Sequence, residues 1–425
     1  MRSPNIAGQT YALMIWTPIA PGREDELRDH LEGLDKDDSP LAKVPRTHMA
    51  RWIIVADMPV APGTDLADPL GTQFLLFTSN FDGDADSYLR ELVELIPQEA
   101  AHRRALGTTR DAMKGAGGVR VLFRQDAELL DGAREHFGFA DGFAQPAIEG
   151  ATADRAAGGG VPERDGRWRP LAPGEFILGY PDEDTNVDSR RRLPAAPDGA
   201  LGANATYMVW RKLHQDVALW RRTITAAAER YPYGDARKLA AKVVGRWQDG
   251  TPLETHPHGP DPEFDPAAPG ANDFRYRHDR DGRRCPLGAH VRRSNPRDAL
   301  DDGAKLSLRH RMIRRGMPYG KPLPDGELED DGSERGLVFV SFQASIFRQF
   351  EGVQTPWIND GNIFGLGTDK DYLLGDPAGS GGKMTIQGRK PFFLAPQQPF
   401  VVTRGGEYLF VPGMAGLRAI VEGAA

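Results

Sequence analysis

"ATYMVWRKLHQDVALWRRTITAAAERY" (Ala205 to Tyr231) decides the fold. Its first third is a short run of aromatic and apolar residues, which predicts a strand. The stretch from Asp216 to Tyr231 predicts a helix directly after it. The same order opens the chain. "YALMIWTPI" (Tyr11 to Ile19) predicts a buried strand, Pro21 and Gly22 punctuate, and "REDELRDHLEGL" predicts a helix with Leu27, Leu31 and Leu34 on one face. "ARWIIVADM" and "TQFLLFTSNF" are two further strands. The helix "SYLRELVELI" follows, capped by Asp84 or Asp86, and "VRVLFR" is a fourth strand. In the second half "GEFILGYP" and "GLVFVSFQAS" read as strands and "DARKLAAKVVGRW" as a helix. "FVVTRGGEYLFVP" reads as a hairpin around Arg404-Gly405-Gly406, and "GMAGLRAIV" as a final helix. Two rounds of mostly antiparallel strands backed by helices predict an α+β duplication, visible in element order and not in any shared motif.

With 425 residues, 40% apolar and 27% charged, the chain is long enough for two domains with ample core. A net charge of −7 argues against general nucleic-acid binding, although arginines cluster at Arg190 to Arg192 and from Arg275 to Arg315. The single cysteine, Cys285, excludes an intramolecular disulfide and a cysteine-rich metal site. No stretch approaches the length of a membrane span. The first residues lack a twin-arginine pair and a sustained apolar run, so the cytoplasm is the expected compartment. Residues 184–202 and 249–272 read as long surface loops.

Most catalytic signatures are missing. "GDPAGSGGKMT" fails as a phosphate loop because Pro377 and Met384 stand where Gly and Ser or Thr are required. His256 and His258 form an H-x-H pair that lacks an obvious third ligand. Three segments remain. "HFGFADGFAQPAIEG" (His136 to Gly150) sets Asp141 in an aromatic, glycine-broken frame, where a charge is costly unless it is used. "CPLGAHVRRSNPR" (Cys285 to Arg297) places His290 after two small residues. Read alone, His290 fits a satisfied core histidine as well as an axial ligand to haem iron. "HRMIRRGMPYG" (His310 to Gly320), if extended, puts Met312 and Arg314 on one side and Arg311, Ile313 and Arg315 on the other. That pattern fits a surface hairpin end as well as a cation aimed at a pocket.

Taken together, these segments resemble the dye-decolourising peroxidases, a family of haem b enzymes. "GFADG" (Gly138 to Gly142) matches the family's G-x-x-D-G, "CPLGAHVRRSNPR" its axial-histidine segment, and "MIRRGMPYG" its distal-arginine segment. Softer matches run from "NIAGQ" near the start to "FVVTRGGEYLFVPGMAGLRA" at the end. The resemblance implies two ferredoxin-like halves with four-stranded antiparallel sheets and surrounding helices. Residues 1–200 would carry the G-x-x-D-G loop, and 201–425 would bind haem. It implies a peroxidase that reduces hydrogen peroxide and oxidises dyes, phenols or similar organic reductants through a ferryl intermediate.

By the same resemblance His290 is the iron ligand, Asp141 the distal acid–base group and Arg314 the distal cation, with Arg311 and Arg315 as neighbours. Arg292, Arg293 and Arg309 are candidates to pair with haem propionates. The family's carboxylate partner for the axial imidazole has no clear match. Tyr276, Tyr319 and Trp357 read as packing residues or as electron relays. Phe139, Phe143 and haem would raise the pKa of Asp141 while Arg314 would lower it. The rival readings are a non-catalytic haem-binding or haem-handling protein on the same fold, and a structural or cargo protein with no cofactor. Oligomeric state stays open, a homo-oligomer included.

Overall fold

The computed structural model describes residues 11–19, 22–33, 40–44, 47–55, 73–81, 85–95, 120–125, 135–140, 146–149, 160–162, 168–183, 197, 199–265, 271–300, 304–314, 316–375 and 382–421. The chain forms two compact units, Met1–Ala133 and Arg134–Ala425. The segment 134–200, which the sequence reading attached to the first half, lies in the second unit. The Ala140 N–H donates to the Gln248 carbonyl at 2.9 Å, and Phe137 packs on Trp220 with ring centroids 5.2 Å apart.

In the first unit, β1 (Tyr11–Pro18), β2 (Thr47–Val55), β3 (Phe74–Phe81) and β4 (Arg120–Gln125) form one antiparallel sheet in the order β2-β3-β1-β4. Helices α1 (Glu24–Glu32) and α2 (Ala85–Leu95) follow the first and third strands, which is the ferredoxin-like arrangement. Along β3 the buried residues are Leu75, Phe77, Ser79 and Phe81, the period of two that a half-covered sheet requires. From α2, Tyr88 stacks on Phe81 at 3.8 Å. Its hydroxyl meets Ser79 Oγ at 2.5 Å and Thr47 Oγ1 at 3.0 Å, so the buried phenol is satisfied. Leu27 of α1 is buried with Ile19 and Leu75, and Leu31 packs beside it. Leu34 and the expected cap Asp84 lie outside the described residues, and Asp86 falls inside α2.

The second unit repeats this order. The strands of its main sheet are β5 (Thr206–Gln215), β6 (Ile313–Arg314), β7 (Met317–Tyr319), β8 (Gly336–Gln343) and β9 (Val401–Val411). The sheet runs β9-β5-β8-β6, with β7 also on β8. The pairs Arg314 with Ser341 and Met317 with Val338 share one register, so β6 and β7 together act as one interrupted strand. Counted so, both sheets run fourth-first-third-second. Helices α3 (Val217–Ala228) and α4 (Ala236–Val244) follow β5, each started by an aspartate: Asp216 accepts from the Leu219 N–H at 2.8 Å and Asp235 from the Lys238 N–H at 2.9 Å. α4 ends on Gly245 at φ +100°, where a Cβ would press on Val291, Ala289 and Cys285. A side chain there would be strained and would push away the segment that carries His290. After β8, wide helical turns at Ile346–Glu351 and Gln354–Ile358 stand where α2 stands in the first unit.

Two expected elements differ. Residues 401–411 are one continuous strand, not a hairpin. Neither Gly405 nor Gly406 adopts the positive φ that a tight hairpin turn needs, and the register along β5 merely shifts between Thr403 and Gly405. "GEFILGYP" is a folded-back turn, not a strand. Pro173 starts a single helical turn, Gly179 sits at φ +83°, and the Gly174 N–H donates to the Pro181 carbonyl at 2.9 Å.

The turn buries Glu175 completely, with Arg348 at 2.5 Å as its ionic partner. Burial pushes the Glu175 carboxyl up to about 7 against the pull of Arg348. Its folded pKa therefore exceeds its unfolded value of ~4.3. The stabilisation it gives is complete below that value and is lost as pH rises through about 7. Between pH ~4.3 and ~7, denaturant unfolding is expected to show the wild type losing stability relative to Glu175→Gln as pH rises, by at most ~1.4 kcal/mol per pH unit. Parallel stability curves for the two proteins would mean that Glu175 stays ionised throughout.

Candidate functional site

The second unit encloses a cavity of about 300 Å³. His290 opens the short helix α5 (His290–Ser294) and lines this cavity. Its Nδ1 lies 3.0 Å from Asp371 Oδ2. Asp371 is fully buried, and its other oxygen accepts from the Leu373 and Leu374 N–H groups at 3.0 and 2.8 Å. Burial alone would raise the Asp371 pKa, but the His290 charge and hydrogen bond, Arg293 and the Leu374 amide outweigh it and hold the carboxyl below its usual range. Burial likewise lowers the basicity of His290, and Asp371 more than offsets it, leaving the imidazole above its ordinary value. An ionised Asp371 accepts a hydrogen bond from the His290 Nδ1–H and leaves Nε2 for the cavity, the arrangement that orients a metal-binding histidine. His290 lies deep in the unit, yet its side chain keeps 26% of its surface accessible because it borders the cavity.

Arg314, half of the two-residue strand β6, lines the same cavity, as do Arg311 and Met312 just before it. Ile313 instead packs beside the cluster of Ile148, Leu171 and Phe176. Arg315 lies outside the described residues. Arg246 and Arg297 also line the cavity and share Asn272: Arg246 donates to its Oδ1, and Arg297 to Oδ1 and the main-chain carbonyl, at 2.5 Å each. Burial, then the charge of Arg297, pulls the Arg246 pKa down to about 9. Burial, then Arg297 and Arg314, does the same to Arg311. All stay cationic at neutral pH. The Nε atoms of Arg297 and Arg311 have no hydrogen-bond partner. With Arg211, five guanidinium groups border a cavity to which the described residues contribute one carboxylate, Glu135. Val244, Leu373, Leu374 and Phe137 add apolar wall. A partly apolar ligand with an anionic edge suits this lining.

Asp141 itself lies outside the described residues, but Phe139 and Ala140, which lead into it, line the cavity. Glu135 fixes that approach. Its carboxylate accepts from the Phe137 and Phe139 N–H groups, both at 2.9 Å, and from Gln215 Nε2 at 2.7 Å. Gly138 turns the chain at φ +94°, where a Cβ would meet the Gln248 amide at 3.2 Å.

Three arginines expected beside a cofactor do not line this cavity. Arg292 is buried on Asp279 and the Cys285 carbonyl and stacks over Tyr276 at 4.4 Å. Arg293 donates to the carbonyls of Trp357, Asp360 and Asp369. Successive residues of a helix point about 100° apart, which turns both side chains from the face of His290. Arg309 is half-buried and is not part of the cavity wall. Of the five arginines that do border the cavity, Arg246, Arg297 and Arg311 come from three separated segments. Tyr276 and Trp357 are buried, Trp357 against His310 at 4.5 Å, and Tyr319 is half-buried with Lys212 over its ring. His256 and His258 are exposed, and no group of three metal-ligating side chains occurs among the described residues.

The family model described as Dyp-type peroxidase, C-terminal, matches residues 177–363, which hold His290, Arg311 and Arg314. The dye-decolorizing peroxidase msp1 of Mycetinis scorodonius is 30% identical over 331 residues, covering 72% of this chain and 61% of its own length. The multifunctional dye peroxidase DyP2 of Amycolatopsis sp. is 33% identical over 312 residues, covering 67% and 61%. The chain belongs to the dye-decolourising peroxidase family. It spans about three fifths of the length of these curated family members. A solved ancestral D-type dye-decolorizing peroxidase superposes with a TM-score of 0.62 over 98% of this chain and 96% of its own, at 24% identity, and that likeness establishes the shared fold. No helix among the described residues is long and apolar enough to cross a membrane.

Because Asp371 satisfies His290 and two amides at once, with the charge of Arg293 nearby, removing it strands several buried groups. Asp371→Ala is expected to lower stability by ~3–5 kcal/mol in urea denaturation at pH 7, with Asp371→Asn milder. A loss below ~1 kcal/mol for the alanine variant would mean that the pair does not organise this wall.

Proposed function

We propose that this family member is a haem peroxidase that reduces hydrogen peroxide and oxidises small organic reductants such as phenols and dyes, with haem b as the cofactor. The observation that carries this reading is the cavity's asymmetry: of the two imidazoles that border it, His290 alone has one nitrogen engaged by a buried carboxylate, and five guanidinium groups and several apolar side chains share the wall. These residues suit haem. His290 Nε2 would bind the iron, Val244, Leu373 and Leu374 would cover the macrocycle, and Arg246, Arg297 and Arg311 would take the propionates. When bound, haem supplies the redox chemistry that cleaves the O–O bond and then withdraws electrons from the reductant.

The protein's own part is electrostatic and acid–base. Asp371 keeps the His290 tautomer fixed and its Nε2 electron-rich. Arg314 stabilises negative charge as the O–O bond breaks. Asp141, which follows Ala140 directly in sequence, would take a proton from the inner peroxide oxygen and return it to the outer one. Glu135 and Gly138 hold the backbone that leads to it. A solved dye-decolorizing peroxidase of the same fold is complexed with 2,6-dimethoxyphenol, which supports a phenolic reductant here.

Reconstitution with haem tests this reading. His290→Ala is expected to lose the histidine-ligated Soret spectrum. Arg314→Leu and Asp141→Asn should keep that spectrum and lose roughly 10²–10³-fold in the peroxide reaction measured by stopped flow. A histidine-ligated spectrum in His290→Ala, or full reactivity in both distal variants, would overturn the assignment.

A further inference from the structure

We infer that Gln349 is a positioning residue for the cavity arginines Arg311 and Arg314, acting through the Arg311 carbonyl. The inference rests on the peroxidase reading. Gln349 is wholly buried in the turn after β8. Its amide is fully used. Nε2 donates to the Arg311 carbonyl at 2.5 Å and to the Glu175 carbonyl at 2.7 Å, and Oε1 accepts from the Ser345 N–H at 2.8 Å. One side chain therefore ties three separate segments together, and one of them carries the cavity arginines.

The tie matters because β6 is short. Only Ile313 and Arg314 pair with β8 in this stretch, and Arg311 and Met312 lie ahead of the ladder while lining the cavity. Two rungs at an edge hold a strand weakly. The Gln349 bond fixes the backbone three residues before Arg314, so the chain from Arg311 to Arg314 is held at both ends. The anchor is itself rigid. Glu175 is held by Arg348, which also reaches Asp182 at 3.2 Å, and the Glu183 N–H donates to Glu175 at 3.0 Å. The titratable and charged groups around this network are Glu175, Asp182, Glu183 and Arg348, with Arg311 and His310, which lies against Gly352, on the cavity side.

Loss of the two donors should let Arg311 and Arg314 drift, and a displacement near 1 Å costs on the order of 10²-fold in a positioned reaction. Gln349→Glu keeps the acceptor for Ser345 but sets an ionised oxygen against two carbonyls. Once protonated, that carboxyl regains one donor. Burial among carbonyls and carboxylates raises its pKa, so recovery falls in an accessible range. Gln349→Met has no donor at any pH.

The test compares haem-loaded wild type, Gln349→Glu and Gln349→Met at pH 8 and pH 5, reading peroxide turnover, the Soret spectrum and amide exchange. At pH 8 both variants should keep the spectrum, lose roughly 10–100-fold in turnover, and exchange faster at 311–314 but not in α3 and α4. At pH 5 the glutamate variant should move back toward wild type in turnover and exchange, and the methionine variant should not. Unchanged turnover and exchange, equal loosening throughout the unit, or recovery by methionine would each overturn the inference. If loaded wild type has no turnover with peroxide, the peroxidase reading fails, and local exchange at 311–314 still decides whether Gln349 holds this backbone.

Discussion

The contact between His290 and Asp371 constrains the rest of the second unit. A carboxylate with no exposure cannot stay ionised without several partners, and Asp371 has them: the imidazole, the Leu373 and Leu374 amides, and the nearby charge of Arg293. Arg293 in turn spends its donors on three carbonyls between Trp357 and Asp369 and so ties α5 to the segment that brings Asp371. Arg292 does the same for the 276–285 loop on the other side. The two arginines after His290 therefore serve the site from outside the cavity. They brace the helix that carries His290, while Asp371 engages its Nδ1.

The cationic wall follows a different logic. Arg246 and Arg297 share one asparagine and stack on one ring, Phe274, at 5.2 and 3.8 Å. Aromatic faces and a shared carbonyl oxygen offset part of the cost of burying like charges together. The remainder of that cost stays in the protein until an anion enters, which makes the cavity a receptor for negative charge. Arg311 and Arg314 line the same cavity, and the charge of Arg314 is felt at Arg311, so cofactor edge and reacting oxygen would draw on one electrostatic field.

Much of this was legible in the sequence because it rests on local patterns. Strand and helix order follows from apolar runs and periodicity, so an α+β duplication could be read, its ferredoxin-like form came from the family resemblance, and Gly138 announced the turn it makes at φ +94°. His290 stood out because small residues precede it. What was not legible depends on distance in the chain. Asp360, Asp369, Asp371 and Asp376 look alike in sequence, and only folding selects Asp371 as the partner of an imidazole 81 residues away. Arg292 and Arg293 looked suited to a ligand because of their neighbour, whereas helix geometry turns them away from it. "GEFILGYP" carried a strand's apolar content, yet Gly174 and Gly179 let it fold back and bury Glu175. Asp141 and Arg315 fall outside the described residues, so the loop is traced only as far as Ala140.

The duplication shows where the site came from in physical terms. In the first unit the second strand is the nine-residue β2, paired along β3. In the second unit the same position is held by two short pieces, β6 and β7, on β8. An edge strand contributes least to a sheet and tolerates such interruption best. Shortening the ladder releases the backbone around Arg311 and Met312 from strand pairing and lets consecutive side chains reach one cavity, which a regular strand forbids by alternation. The lost pairing has to be replaced by contacts from elsewhere, and the amide of Gln349 on the Arg311 carbonyl supplies one. The functional half of the molecule thus departs from its partner at the strand where regular pairing contributes least and side-chain placement matters most.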